Sequence, residues 1–208
     1  TARWYEKFSK SLVEPWAPNT TMASPDDPKK LIEELGCFYQ EDSELGQTVD
    51  AILDEVGYYF KNTRGLTFAK VNILENELRV LMVNLWTSDS VAIFHLGSHK
   101  HLLNAYRAPN GLLKIPPERL GLPGIISKTV PMKKGGLSIL DGRTGFRIVS
   151  GRAIFFALVV PDELQHWAKM VLPKSSELEG IVQQMQETSD HIGANFEFQA
   201  PKGSDIPQ

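Results

Sequence analysis

The chain has 208 residues, 42% of them hydrophobic and 23% charged, with a formal net charge of −3. These proportions match globular domains and exclude wholesale disorder, a collagen-like repeat and a coiled coil. The single cysteine, Cys37, excludes an intrachain disulfide and favours a reducing compartment such as the cytoplasm. No apolar run approaches the ~18 residues that cross a membrane, so no transmembrane segment is expected.

The N-terminal region is predicted to be an arm that precedes the main domain. Residues Arg3 to Val13 can form a short helix, because Trp4, Phe8 and Leu12 fall on one helical stripe. Prolines and polar residues follow it and are typical of a linker. The sequence therefore predicts an arm and linker over residues 1–27, a single domain over residues 28–198 and a disordered tail over residues 199–208.

The main domain is predicted to begin with two helices and a hairpin. The first helix starts at a proline and covers Pro28 to Tyr39. The second starts with Ser43 as its N-cap, has an apolar stripe that reaches Phe60, and is stopped by Arg64-Gly65. After the second helix the period of the hydrophobic pattern changes from that of a helix to two residues, which is typical of a strand. Leu66 to Leu74 and Leu78 to Trp86 are therefore predicted to be strands joined by a short polar link.

The middle of the chain alternates strand signals with turn residues. Val91 to Leu96 predicts a strand, His99 to Arg107 a short helix, and the prolines and glycines of Leu112 to Gly124 an irregular crossover. Four strands are predicted after the crossover: Ile125 to Val130, Leu137 to Leu140, Gly145 to Val149, and Arg152 to Val160. Asp141-Gly142 favours a hairpin between the second and third of these. The fourth is so apolar that we expect it to be covered on both faces.

Two helices are predicted to close the domain, Pro161 to Leu172 and Ser176 to Ile192. The whole order predicts an α+β domain with one mainly antiparallel sheet of about five to six strands, covered by helices. Over Ser43 to Ile192 this order resembles that of GAF and PAS sensor domains. The resemblance lies in topology alone and implies that the crossover closes over a small-molecule pocket on one sheet face.

Positive charge is concentrated in the middle of the sequence. Between His99 and Arg152 there are ten basic and two acidic residues, so this segment carries +8 and the remainder −11. Such a split favours an anionic ligand, an acidic protein surface or nucleic acid, although basic and acidic segments can also pair within the fold or across a homodimer. Glycine-bearing turns expose backbone N–H groups that can hold an anion. The candidate ligand-binding residues are Lys133, Lys134, Arg143, Arg147 and Arg119.

Three of the five histidines fall within seven residues. Imidazole is a common ligand of zinc and iron, so His95, His99 and His101 are candidate metal ligands. Their spacing fits one helical face poorly, and no carboxylate or thiolate nearby completes the set. A polar cluster at a strand end is the competing interpretation.

Motifs for acyl transfer, nucleotide hydrolysis, dinucleotide binding and zinc ribbons are absent from the sequence. The leading hypothesis is therefore a non-catalytic sensor or interaction domain that binds an anionic small molecule or an acidic protein partner through its basic middle segment. A metal-dependent enzyme built on the histidine cluster is the first alternative. A nucleic-acid-binding protein is the second.

Overall fold

The computed structural model describes residues 28–56, 68–69, 77–108, 112–165, 167, 169–187 and 193–199. These residues fall into two compact units, one that ends at Val160 and one that starts at Pro161. The predicted N-terminal arm and nearly all of the predicted tail lie outside the described residues, so the proposed division into arm, domain and tail stays a prediction. No helix among the described residues is long and apolar enough to cross a membrane.

The first unit is an α+β fold, as the sequence predicts. Its described helices are α1 (Pro28–Leu35), α2 (Ser43–Val56), and the short 3-10 helices η1 (Ser98–Lys100) and η2 (Pro117–Gly121). Its described strands are β1 (Cys37–Glu41), β2 (Phe68–Ala69), β3 (Val80–Trp86), β4 (Ser90–Leu96), β5 (Tyr106–Arg107), β6 (Leu113–Lys114), β7 (Ile126–Met132), β8 (Gly136–Asp141), β9 (Gly145–Ser150) and β10 (Ala153–Val159).

These strands form two antiparallel sheets. The four-stranded sheet has the order β1-β8-β3-β10 and the six-stranded sheet the order β5-β6-β2-β9-β4-β7. The prediction of one sheet is therefore wrong. The GAF- or PAS-like arrangement is not confirmed, because the strands are split between sheets.

Two expected hairpins are replaced by longer-range pairing. The Asp141-Gly142 turn carries the chain from β8 in one sheet to β9 in the other, so these two strands do not pair with each other. Strand β3 is flanked by β8 and β10, which occupy both of its edges. The link proposed between Leu74 and Leu78 lies largely outside the described residues.

The two sheets pack face to face around a shared apolar core. Trp86 of the four-stranded sheet meets Phe94 of the six-stranded sheet edge to face, with ring centroids 6.2 Å apart. Tyr39 stacks on the same Phe94 at 6.1 Å. Helix α2 lies against β3 and β8. The core face of each sheet is therefore filled by large side chains.

Local backbone geometry shortens the first predicted helix. Helix α1 ends at Leu35, because the next residue, Gly36, has a φ of 77° in the left-handed region. The chain then continues as strand β1, so the helix does not run on to Tyr39. The next helix begins at Ser43, as predicted, but its cap is Asp42. The Oδ1 atom of Asp42 accepts hydrogen bonds from the backbone N–H groups of Glu44 and Leu45.

Two further predicted helices are also shorter than expected. The helix proposed for His99 to Arg107 is reduced to η1, since Asn104 adopts a positive φ of 49° before strand β5. The helix proposed from Pro161 ends as α3 (Pro161–Leu164). The second unit then continues with β11 (Met170–Pro173), α4 (Ser176–Glu187) and β12 (Phe196–Gln199), and β11 and β12 pair in parallel.

Candidate functional site

His95 lies on the outer face of the six-stranded sheet, near the end of strand β4. Its cross-strand neighbours are Ser127 on β7 and Gly145 on β9. The side chain is buried, with 6% of its surface exposed. Its Nδ1 atom lies 2.8 Å from the hydroxyl oxygen of Ser127, and this hydrogen bond fixes the orientation of the ring.

The crossover between β5 and β7 covers this part of the sheet. Ile115 belongs to a small core with Ala69 and Leu103, and its Cδ1 atom would lie 2.9 Å from a Cβ atom placed on Gly145. The same Cβ atom would lie 3.4 Å from Cδ2 of His95. A glycine at this position therefore lets the crossover approach the sheet closely and leaves room for the imidazole beside it.

Arg147 shares the outer face with His95. It lies two residues beyond Gly145 on β9 and opposite Ile93 on β4, which makes it the diagonal neighbour of His95. Its Nε atom is buried and has no hydrogen-bond partner. Among the described residues, no carboxylate lies within ion-pair distance of Arg147.

Burial is the main reason why the pKa of His95 is lower than that of a free histidine. Burial and, to a smaller extent, the positive charge of Arg147 together lower the pKa of His95 from 6.5 to about 4. The imidazole is therefore neutral at pH 7. Its Nε2 atom is buried and has no hydrogen-bond partner.

These groups define what we call the outer-face site: His95, Ser127 and Arg147. When the Ser127 hydroxyl donates to Nδ1 of His95, the ring proton lies on Nε2, so Nε2 and the guanidinium Nε both present N–H donors. Each donor is buried without an acceptor, although buried polar groups are normally paired. Two unsatisfied donors beside one positive charge suit an anionic oxygen ligand.

His99 has a different and structural role. Its Nε2 atom lies 3.1 Å from the carbonyl oxygen of Glu33 and donates a hydrogen bond to it. The backbone N–H of Gly97 donates to the carbonyl of Leu35, and the Thr144 hydroxyl donates to that of Gly36. These contacts satisfy carbonyl groups that the end of helix α1 leaves free. Burial lowers the pKa of His99 more than its hydrogen bond to Glu33 raises it.

The three histidines of the predicted metal cluster thus have separate surroundings. His95 contacts Ser127, His99 contacts the end of α1, and His101 lies beside Gly124, whose added Cβ atom would be 3.9 Å from the His101 Nε2 atom. Within the described ranges, no group of three histidine, cysteine or acidic residues is arranged to hold a metal ion. The structure therefore offers no support for a zinc or iron site, and that site stays a prediction.

The structure separates the five predicted anion-binding residues. Lys133 and Lys134 precede strand β8 and Arg143 follows it, so they lie at opposite ends of a strand six residues long, which spans ~20 Å. Arg119 lies in η2 and donates to the backbone carbonyl of Leu102. Arg147 belongs to the outer-face site described above.

Carboxylates neutralise part of the basic segment. The Arg143 guanidinium binds both carboxylate oxygens of Asp141, at 2.9 and 2.6 Å, and this pair is almost fully buried. Arg152 lies 2.7 Å from a carboxylate oxygen of Asp54 and 3.6 Å from one of Asp50, both on helix α2. The +8 segment consequently presents less free charge than its sequence indicates.

Ser127 was not among the residues predicted from the sequence. It follows two isoleucines at the start of a strand, a place where a serine carries no signal of its own. Only the register between β4 and β7 brings Ser127 opposite His95, and this register depends on residues 32 positions apart. The alternation along β4 does place His95 on the same face as Ile93, which is the one local signal available.

Cys37 is an unreactive thiol. It is a buried member of the core, and burial raises its pKa from 9.0 to about 12. A thiolate is the reactive form of cysteine, so this side chain is unsuited to nucleophilic chemistry at neutral pH.

No protein-family model and no curated protein matches the sequence.

Proposed function

We propose that this protein is a non-catalytic binding module that takes an anionic small molecule at the outer-face site. The observation that carries the proposal is a pair of buried nitrogen atoms, Nε of Arg147 and Nε2 of His95, neither of which has a hydrogen-bond partner. Unsatisfied buried donors are costly, and a ligand that supplies acceptor oxygens offsets that cost when it binds.

The electrostatics of the site favour an anion over a neutral ligand. Arg147 has no ion-pair partner among the described carboxylates, in contrast to Arg143 and Arg152. A carboxylate or phosphate oxygen between Arg147 and His95 would receive a charge-assisted hydrogen bond from the first and a neutral one from the second. The ligand class we propose is therefore a small molecule with a carboxylate or phosphate group.

The crossover adds support for a closed site. It packs over the outer face through Ile115, next to His95, so a ligand there would be shielded from water on one side. Shielding strengthens hydrogen bonds to an anion because it lowers the local dielectric.

Titration with inorganic phosphate and with acetate, followed by two-dimensional NMR of the His95 ring and backbone amides, tests the proposal. We expect saturable shifts at His95, Ser127 and Arg147. The variant Arg147→Gln should weaken binding at least tenfold, because it removes the charge. The variant Arg107→Gln, on exposed strand β5, is the matched control and should bind as the wild type does.

Two results would contradict the proposal. Equal affinity of the Arg147→Gln variant and the wild type would show that the guanidinium does not hold the anion. Loss of binding in a Lys133→Gln, Lys134→Gln double variant, with Arg147→Gln unaffected, would move the site to the turn before β8. Elemental analysis of the purified protein tests the first alternative, a metal-dependent enzyme. The salt dependence of oligonucleotide binding tests the second alternative, a nucleic-acid-binding protein.

A further inference from the structure

We propose that strand β7 captures an acidic, extended peptide by adding it to the six-stranded sheet as a further strand. This inference is independent of the outer-face site, since it concerns the backbone edge of β7. It assigns the chain a protein partner in addition to a small ligand.

Strand β7 is a long and regular edge. All seven of its residues pair with β4 without a register shift, and β7 stands at one end of the six-stranded order. Within the part of the chain that the structure describes, no strand pairs with its other edge. An edge of this length offers a row of N–H and C=O groups that an extended peptide can pair with.

The position of Pro131 indicates which groups point outward. Proline has no N–H to give to a ladder and is tolerated in a strand where its nitrogen faces away from the neighbouring strand. Because alternate residues of an antiparallel strand direct their backbone groups to the same side, Ser127 and Thr129 share the outward direction with Pro131. Two N–H groups and three carbonyl groups are therefore available to a partner.

The side chains along this edge select the partner. Ile126 is 65% exposed, and Lys128 and Thr129 are also exposed. The amine of Lys128 lies 5.2 Å from the centre of the Tyr39 ring. Lys133 and Lys134 are exposed just beyond the end of the strand. From Arg119 to Leu140 the sequence contains no acidic residue.

The same charges argue against a second copy of this chain as the occupant. Antiparallel pairing of two β7 strands about Thr129 would bring the two Lys128 side chains to the same face in neighbouring positions, where like charges repel. Lysine and proline on an edge strand are known to discourage self-association. A peptide with acidic residues at alternate positions meets no such repulsion and gains attraction to Lys128.

The test uses synthetic peptides and the intact protein. The probe is a fluorescein-labelled, end-blocked peptide of alternating glutamate and valine, and fluorescence anisotropy measures its binding. Two control peptides are compared with it: one in which lysine replaces glutamate, and one N-methylated at every residue so that its backbone cannot donate hydrogen bonds. We expect binding of the acidic peptide alone, with slowed amide hydrogen exchange at Ser127 and Thr129.

Protein variants supply a second line of test. Lys128→Glu should weaken binding about fivefold or more, as expected when attraction at an exposed site becomes repulsion. Thr129→Pro should abolish binding, because it removes an outward N–H group. The peptide controls keep the proposal falsifiable if that variant fails to fold. Arg147→Gln should leave peptide binding unchanged, which separates this proposal from the outer-face site.

Three results would overturn the inference. Equal binding of the N-methylated peptide would show that no strand is added. Equal binding of the lysine peptide would remove the argument from charge. Dimerisation in sedimentation experiments without peptide, accompanied by protection of the Ser127 and Thr129 amides, would identify a second copy as the occupant.

Discussion

Lowering the pH from 7 to 4 should destabilise the first unit through His95. The folded-state pKa of this side chain is about 4, against 6.5 when it is unperturbed. Between these values the unfolded chain holds more protons than the folded one, so stability falls as the pH falls. The pKa difference is 2.5, and each pKa unit corresponds to about 1.4 kcal/mol, so the loss should approach about 3 kcal/mol at pH 4.

Urea unfolding followed by tryptophan fluorescence, at several pH values between 7 and 4, measures this loss. Other groups titrate in the same range, so the comparison is made with His95→Asn, which keeps a hydrogen-bonding group near Ser127 and cannot titrate. The stability advantage of the wild type over His95→Asn should shrink by about 3 kcal/mol between pH 7 and pH 4.

An advantage that stays constant with pH would refute the reasoning. An NMR titration provides an independent check, because the ring signal that is lost in His95→Asn identifies His95. Its midpoint should lie near pH 4 in the folded protein. A midpoint near 6.5 would show that the ring is hydrated, and the outer-face site would then lack the buried donor on which the proposed function depends.

Three further predictions concern parts of the fold outside that site. Gly36→Ala should destabilise the protein by about 2 kcal/mol or more in chemical unfolding, because φ is 77° and the new Cβ atom would lie 2.5 Å from Nδ1 of His99. Asp141→Asn should cost about 2–3 kcal/mol in the same measurement, since it leaves the guanidinium of Arg143 without its buried carboxylate. Cys37 should resist a thiol reagent such as DTNB at pH 8 in the folded protein and react at once in denaturant, and rapid labelling of the native protein would contradict its burial.

The sequence predicts the fold well wherever a local pattern decides the structure. The segments Leu78 to Trp86 and Val91 to Leu96, which are rich in apolar residues, do form strands, and the stripe that follows Ser43 does form a helix. Both patterns can be recognised within a short stretch of sequence, because side chains alternate along a strand and recur every 3.6 residues along a helix. The α+β class and the antiparallel pairing follow from the same signals.

Sheet membership could not be predicted, because it depends on contacts far apart in the chain. Strand β10 illustrates the difficulty: its apolar run predicted burial on both faces, yet it ends the four-stranded order and leaves Phe156 and Leu158 more than a third exposed. Strand β11 was predicted to be helical, and its parallel pairing with β12 overrides that local preference.

The sequence predicts that the middle segment is basic, but it does not show which of its arginines are paired with carboxylates. Arg147, Arg143 and Arg152 look equivalent in the sequence, since each lies in the same basic segment. The fold distinguishes them, because Arg143 meets Asp141 across a turn and Arg152 meets carboxylates of helix α2, almost a hundred residues away. Arg147 instead has Ile93 and His95 as its neighbours on β4. Strand register therefore decides which arginine lies beside His95, a side chain that is neutral at pH 7.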